Sequence, residues 1–244
     1  MYKKICGFLL IILVLSTVIA GCGSAPAEPA EEPEEAAAPT EAAQEEAAEP
    51  TKAAEEAAPG EPKHGGTMVY GLVGDPPSLD PHVQKGAADS TVKNMVYSRL
   101  LGWDREMNVV PELAESWEII DDTTIEFKLR EGVKFHDGSE LTSEDVKYSY
   151  ERIQNPDVGS GAAGPFKGIT VETPDDYTVR VKLSEPNAAI FQVLARTDAF
   201  IVSKAWIESG VDPQMEMMGT GPFKYVGREP DVSFEVERFD DYFK

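Results

Sequence analysis

The sequence predicts a mixed α/β fold for residues 63–244, preceded by two segments that cannot form a core. Alternating apolar residues separated by turn residues predict several short strands, and apolar residues three or four positions apart predict helices. The composition changes near residue 63, where a tract rich in Ala, Glu and Pro gives way to aromatic and aliphatic residues. The chain has 244 residues, which allows one large domain or two small ones.

Residues 1–21 have the pattern of a signal peptide for export. Lys3 and Lys4 supply a basic start, and residues 5–14 form an almost unbroken apolar run that is short for a membrane span. The Ile-Ala-Gly-Cys sequence that ends at Cys22 resembles the bacterial lipobox, in which cleavage precedes a cysteine that carries lipid. We therefore predict lipidation at Cys22. The alternative is an ordinary signal peptide followed by a chance cysteine.

This interpretation accounts for both cysteines. Cys6 leaves with the signal peptide and Cys22 becomes a thioether, so the folded part contains neither a free thiol nor a disulfide. Cysteine catalysis and a disulfide scaffold are excluded there. Because two or three acyl chains hold a protein stably on a membrane, we expect an extracytoplasmic protein that is anchored by lipid at the cell surface or in the periplasm. The kind of membrane stays open.

Residues 22–62 are predicted to be the lipidated cysteine and a disordered tether. From 24 to 62, 33 of 39 residues are Ala, Glu or Pro, and twelve of them are Glu. Such a composition cannot form a hydrophobic core, and the like charges keep the chain extended. We interpret the tract as a spacer between the membrane and a folded module. An acidic tail that binds a cationic partner is the alternative.

The net charge of −22 at pH 7 is not confined to the tether. Residues 63–244 alone carry 32 acidic against 19 basic side chains. Phosphate backbones are repelled by such a charge, so no nucleic-acid partner is expected.

The first elements of the folded part can be predicted in order. A strand is expected at 68–72, and the proline-rich sequence that follows interrupts it. A helix should start near Ser90, because apolar residues recur at helical spacing as far as Leu100, and Gly102 should end it. Two strands at 116–120 and 124–130 alternate in phase across an Asp-Asp turn, which predicts a hairpin.

The second half repeats this mixture of helices and hairpins. A helix is predicted to begin with Thr142 as its N-cap and Asp145 three residues later, with one buried face. That face consists of Val146, Tyr150 and Ile153. The remaining predictions are a small-residue loop at 159–164, a hairpin at 169–183, a short helix at 188–195, and a hairpin formed by 223–226 and 234–238.

No set of residues with the pattern of an active site emerges. The three histidines, His64, His82 and His136, do not have zinc-ligand spacing. We interpret His136 beside Asp137 as part of a turn rather than as an acid/base dyad. No GxSxG sequence is present, and residues 219–221 are too short a glycine motif for a phosphate loop, so they are expected to let two backbones pack closely. We expect no catalytic residue, metal or cofactor.

Six sequence blocks follow one another in the folded part. They are Gly65-Gly66-Thr67 with Ser78-Leu79-Asp80-Pro81-His82, the block 111–117, the block 127–138, the block 141–146, the block 219–224, and Glu237-Arg238 with Tyr242-Phe243. In these blocks and in their order, the folded part resembles the peptide- and nickel-type (family 5) extracellular solute-binding proteins of ABC importers along almost all of its length.

The resemblance implies a fold and a function. It implies a lobe of the periplasmic-binding-protein type II fold, truncated before the second lobe is complete, because family members are roughly twice as long. Residues 63–244 would be the N-terminal part of the solute-binding domain. The implied partners are a peptide or related small solute and the transmembrane subunits of an ABC permease. The implied mechanism is hinge closure around the ligand without chemistry. Peptides, nickel chelates and oligosaccharides all stay open as ligands.

In this family the loop after the Asp-Pro-His block faces the ligand, which places Lys85, Gly86 and Ala87 there. Lys85 could pair with the carboxylate of a peptide, although an ordinary surface loop is the alternative. The loop at 159–164 is a second candidate for the border of the cleft. Two other functions stay open, namely a surface or sensory lipoprotein that does not transport and, with less support, an extracellular hydrolase.

Overall fold

The computed structural model describes residues 65–83 and 85–244, and this part of the chain folds as a mixed α/β lobe, as predicted. The predictions for the signal peptide, Cys22, the tether and His64 lie outside the described residues. The helices are α1 (Ala87–Val96), α2 (Ser143–Gln154), α3 (Ala163–Phe166), α4 (Ile190–Leu194) and α5 (Lys204–Glu208). The strands are β1 (Leu101–Trp103), β2 (Val109–Pro111), β3 (Ala114–Asp121), β4 (Thr124–Leu129), β5 (Ile169–Asp175), β6 (Thr178–Leu183), β7 (Phe223–Glu229) and β8 (Ser233–Arg238).

A four-stranded antiparallel sheet in the order β3-β4-β6-β5 forms the largest layer of the described part. The predicted hairpin of β3 and β4 is confirmed, with Trp117 opposite Phe127 and Ile119 opposite Ile125. Alternation places Ile125 and Phe127 of the central strand β4 in the core. Ile119 on the edge strand β3 is 61% exposed, although its cross-strand partner Ile125 is buried.

Helix α2 covers the sheet with the face that the sequence predicts. Val146, Tyr150 and Ile153 are fully buried in the main core. The Asp145 carboxylate accepts a hydrogen bond from the Thr142 backbone N–H at 3.0 Å, which fixes the start of the helix as expected for a capping box. The start also docks on the turn between β5 and β6, since the Ser143 hydroxyl donates to the Asp175 carbonyl at 2.7 Å.

Two predicted elements near the beginning are wrong. Residues 68–72 form no strand, because a strand needs a hydrogen-bonding neighbour and none of the described residues pairs with them. The first helix ends at Val96 rather than near Gly102. Leu100 is buried but lies outside the helix. The chain after it forms the hairpin β1–β2, and the helical spacing of the apolar residues up to Leu100 gave no indication of this hairpin.

The hairpin of β7 and β8 is confirmed, and a glycine turn joins it to α1. The Gly221 N–H donates to the Val96 carbonyl at 2.9 Å. A Cβ atom added at Gly219 would lie 2.3 Å from the Val96 oxygen, and one at Gly221 would lie 2.6 Å from the Val96 carbonyl carbon. The two glycines therefore allow two backbones to touch, which is the role that the sequence indicates.

His136 holds the same turn from the other side. Its Nε2 is 3.0 Å from the Gly221 carbonyl, and its backbone N–H donates to the Gly219 carbonyl at 2.9 Å. The Asp137 carboxylate instead accepts from the Ser139 hydroxyl at 2.6 Å. Burial lowers the pKa of His136. The geometry favours the turn interpretation over an acid/base dyad.

A buried histidine, His82, ties the segment before α1 to the rest of the lobe. The His82 Nε2 donates to the Phe200 carbonyl at 2.8 Å, and its Nδ1 accepts from the Arg152 guanidinium at 2.8 Å. Arg152 also donates to both carboxylate oxygens of Asp80, at 2.9 and 2.6 Å. Burial and the neighbouring Arg152 cation lower the pKa of His82 to about 4.

Gly221→Ala should destabilise the lobe by about 1–3 kcal/mol, because its methyl group would collide with the backbone of Val96. Gly227→Ala in β7 is the matched control, since a Cβ there meets no atom within 4 Å. Urea unfolding followed by circular dichroism measures both changes. Equal midpoints for the two variants would contradict the close contact.

The free energy of unfolding should fall as the pH is lowered from 6.5 to 5. In this window His82 becomes protonated in the unfolded chain, where its pKa is the ordinary 6.5. In the folded chain it stays neutral, because its pKa there is about 4. The slope from one histidine is at most about 1.4 kcal/mol per pH unit. Urea unfolding at several pH values should show this slope, and His82→Gln should reduce it to the part that His136 contributes. An unfolding free energy that stays constant from pH 6.5 to 5 would exclude the mechanism.

Candidate functional site

The loop that the sequence singles out leads into α1, whose first residue is Ala87, and is open to solvent. Lys85, Gly86 and Ala87 are all exposed. Gly86 is the N-cap of α1 and is fully extended, with φ −178° and ψ −178°. Because any residue adopts such a backbone, the local conformation does not require glycine there. A Cβ at Gly86 would meet no atom within 4 Å, so free space lies next to the backbone at this position.

Asp89 fixes the loop from the first turn of α1. Its Oδ2 accepts a hydrogen bond from the Lys85 N–H at 2.7 Å, and its Oδ1 accepts from the Ser78 N–H at 3.4 Å. The same carboxylate therefore holds the loop and the chain segment that leads to it. The side chain of Asp89 is completely buried.

Lys93 lies one turn further along α1 and is equally buried. Its Nζ donates to the Val83 carbonyl at 2.7 Å and lies 3.7 Å from Asp89 Oδ2. Burial lowers the pKa of Lys93, and the nearby carboxylates of Asp89 and Asp80 oppose this shift. The backbone on both sides of position 84 is thus held by charged groups of one helix.

The arrangement suits non-covalent recognition of an anionic group. Within the described part of the chain, no carboxylate lies within ion-pair distance of the Lys85 ammonium. An exposed ammonium beside an unobstructed glycine backbone can meet a ligand carboxylate while the ligand lies flat against the chain. The structure thus leaves both Lys85 and Gly86 exposed to solvent, and it identifies no ligand for them.

Sequence reasoning missed Asp89, Lys93 and Arg152. Asp89 and Lys93 did leave a signal, because they share the apolar face of α1 with Val92 and Val96, where charged residues are rarely placed. Arg152 left none, since it lies 72 residues from Asp80 in the chain and only folding brings the two together.

Other chemistry has little support in the described part. No group of three or more His, Cys, Asp or Glu side chains among these residues could hold a metal ion. Both ring nitrogens of His82 and of His136 have hydrogen-bond partners within the lobe, so neither ring is free to act on a substrate. No helix among residues 65–83 and 85–244 is long and apolar enough to cross a membrane.

A recess of about 440 Å³ lies beside His136. It is lined by apolar side chains such as Trp206 and Met217 and by charges of both signs, including Lys224 and Glu237. Lys85, Gly86 and Ala87 are not among its lining residues. Its lining offers no single charge or donor set that would select a ligand, so the loop before α1 stays the candidate site.

The known proteins that this chain resembles in sequence include solute-binding proteins. The glutathione-binding protein GsiB of Pectobacterium atrosepticum is 35% identical over 170 residues, which cover 68% of this chain and 33% of GsiB. The oligopeptide-binding protein AppA of Bacillus subtilis is 30% identical over 194 residues, which cover 76% of this chain and 36% of AppA. The chain thus spans about a third of the length of these relatives.

The fold agrees with solved structures. The binding protein AgaA of A. tumefaciens R10, in complex with agropinic acid, superposes with a TM-score of 0.67 at 38% sequence identity. The superposition covers 70% of this chain and 35% of AgaA. In addition, residues 108–244 match the model of the middle part of the bacterial extracellular solute-binding proteins of family 5. The chain therefore belongs to the family 5 bacterial extracellular solute-binding proteins.

Proposed function

We propose that this chain is part of the extracytoplasmic substrate-binding protein of an ABC importer, which captures a peptide or a related small solute and delivers it to the permease. Membership of family 5 carries the proposal. The names of the relatives include binders of glutathione and of oligopeptides, and AgaA was solved with agropinic acid. These ligands all bear carboxylates, which is the chemistry that an exposed lysine can recognise.

The proposed role of the loop is to bind one end of the ligand. The Lys85 ammonium would pair with a ligand carboxylate, and the free space at Gly86 would admit the ligand backbone, with Ala87 beside it. Residues 159–164 are a second candidate border of the cleft. A second lobe would then close over the ligand by a hinge motion, and the permease would bind the closed form. The protein performs no chemistry in this mechanism.

The proposed organisation places this lobe outside the cytoplasm and close to a membrane. Residues 1–21 would direct export, Cys22 would carry the lipid anchor, and the rest of 22–62 would form the tether. Residues 63–244 would be the N-terminal part of the solute-binding domain. Such an arrangement keeps a captured solute near the permease, because a tether of fixed length raises the effective concentration of the binding protein at the membrane.

Native mass spectrometry of the natural gene product, made without residues 1–22 and purified gently from its host, tests the binding function. A small non-covalent adduct that dissociates under collision would support it, and the mass of the adduct would identify the class of solute. A protein that carries no adduct, and takes up none on incubation with a peptide library, would contradict it and favour an interaction module without transport.

Lys85→Met should weaken the affinity for trialanine about 5-fold, which corresponds to the loss of one exposed ion pair. The C-terminal amide of trialanine lacks the carboxylate, so the same substitution should leave its affinity unchanged. Isothermal titration calorimetry of the natural gene product with both peptides measures the difference. An equal loss for the acid and the amide would exclude a carboxylate contact at Lys85.

Gly86→Ala should leave the stability unchanged within about 0.5 kcal/mol, because the backbone is extended and the added methyl group meets no protein atom. It should nevertheless weaken peptide binding, since the methyl group would occupy the space proposed for the ligand. Gly227→Ala, which also points into open space, is the control and should bind normally. Unaltered binding by Gly86→Ala would place the ligand elsewhere.

Cys22→Ser should release the protein from the membrane. The lipid is attached to the sulfur atom, so the serine variant should lose both the acyl chains and the membrane association. Fractionation of the host and incorporation of labelled palmitate measure the two effects, with Cys6→Ser as the control. A serine variant that stays in the membrane fraction would argue against the lipobox.

A further inference from the structure

We propose that Asp89 and Lys93 are positioning residues, which hold the backbone of Val83 and Lys85 in the conformation that presents the loop to its ligand. The inference rests on the proposed function, because it takes the loop before α1 as the ligand-facing segment. Neither side chain would touch the ligand, since both are completely buried.

The Asp89 carboxylate accepts hydrogen bonds from two backbone N–H groups. Asp89 accepts the Lys85 N–H at 2.7 Å, which is a short and charge-assisted hydrogen bond. Its other oxygen accepts the Ser78 N–H at 3.4 Å. The carboxylate therefore fixes the origin of the Lys85 side chain relative to α1, while the ammonium at the end of that side chain stays in solvent.

The Lys93 ammonium group holds the backbone on the other side of position 84. Lys93 donates to the Val83 carbonyl at 2.7 Å, from a position one helical turn after Asp89. Asp89 and Lys93 thus hold a backbone N–H and a backbone carbonyl on the two sides of position 84. Because both belong to α1, these two contacts tie the Val83 carbonyl and the Lys85 N–H to the same helix.

Burial of the Asp89–Lys93 pair is energetically unfavourable. Each ion loses its hydration on burial, and an ion pair separated by 3.7 Å offsets this cost only in part. Apolar side chains at these positions would extend the face formed by Val92 and Val96, and such replacements of buried ion pairs are often neutral or stabilising. Stability alone therefore does not account for the pair, whereas a fixed loop conformation does.

Hydrogen exchange of the natural gene product at the Lys85 amide tests the proposal directly. Lys93→Met keeps the apolar stem and removes the ammonium, so the amide should exchange at least 10-fold faster. Arg99→Met is the matched control, because Arg99 and Glu112 form another mostly buried ion pair, with both side chains 12% exposed, and neither residue contacts the loop. The control should lose global stability without faster exchange at Lys85.

Affinity for trialanine gives the second readout. It should fall about 10-fold in Lys93→Met and stay within 2-fold of wild type in Arg99→Met, at a temperature where both proteins are folded. If Lys93→Met does not fold, Asp89→Asn replaces it, since it removes the charge and one of the two acceptors while keeping the shape.

The outcomes separate this inference from the proposed function. Unchanged exchange at Lys85 in the folded variant would overturn the positioning role, whatever the ligand. Faster exchange with unaltered trialanine affinity would also overturn it, because the loop order would not matter for binding. If the wild-type protein binds no solute, the proposed function fails, and the exchange measurement still decides whether the pair fixes the loop.

Discussion

The contact between the backbone at the end of α1 and the turn at 219–221 is the constraint on which the arrangement of this lobe depends. The Gly221 N–H donates to the Val96 carbonyl at 2.9 Å, and only glycine leaves room for so close an approach. His136 binds the same turn, so the chain that follows β4, the end of α1 and the start of β7 meet at one point. The position of α1, and of the loop at its beginning, follows from this junction.

Polar and charged groups with little exposure gather around α1 and the segment that precedes it. They border the smaller apolar cluster, which includes Val92, Val96 and Phe200. They are Asp80, His82, Asp89 and Lys93, which are buried, and Arg152, whose side chain is 10% exposed. Ionic contacts have stricter geometry than apolar packing, so they define where backbone groups lie. Here they fix the backbone of Val83 and Lys85 relative to α1.

Much of the lobe could be predicted because its signals are local. The hairpin of β3 and β4 follows from the alternation of Trp117 and Phe127, and α2 follows from Thr142 and its apolar face. The errors came where the pattern is ambiguous or a partner is needed. Leu100 continues a helical spacing but belongs to the chain before a hairpin. Residues 68–72 are predominantly apolar, as in a strand, but have no described neighbour with which to pair.

The sequence by itself determined the mixed fold, the absence of a recognisable catalytic motif, the family, and Lys85, Gly86 and Ala87 as candidate site residues. These rest on composition, periodicity and contiguous motifs, all of which are readable along the chain. Only the tertiary structure decided that Arg152 joins Asp80 and His82, and that Asp89 and Lys93 hold the loop. Such contacts depend on which faces are buried together, because a charged group is buried only where its partners offset the loss of hydration.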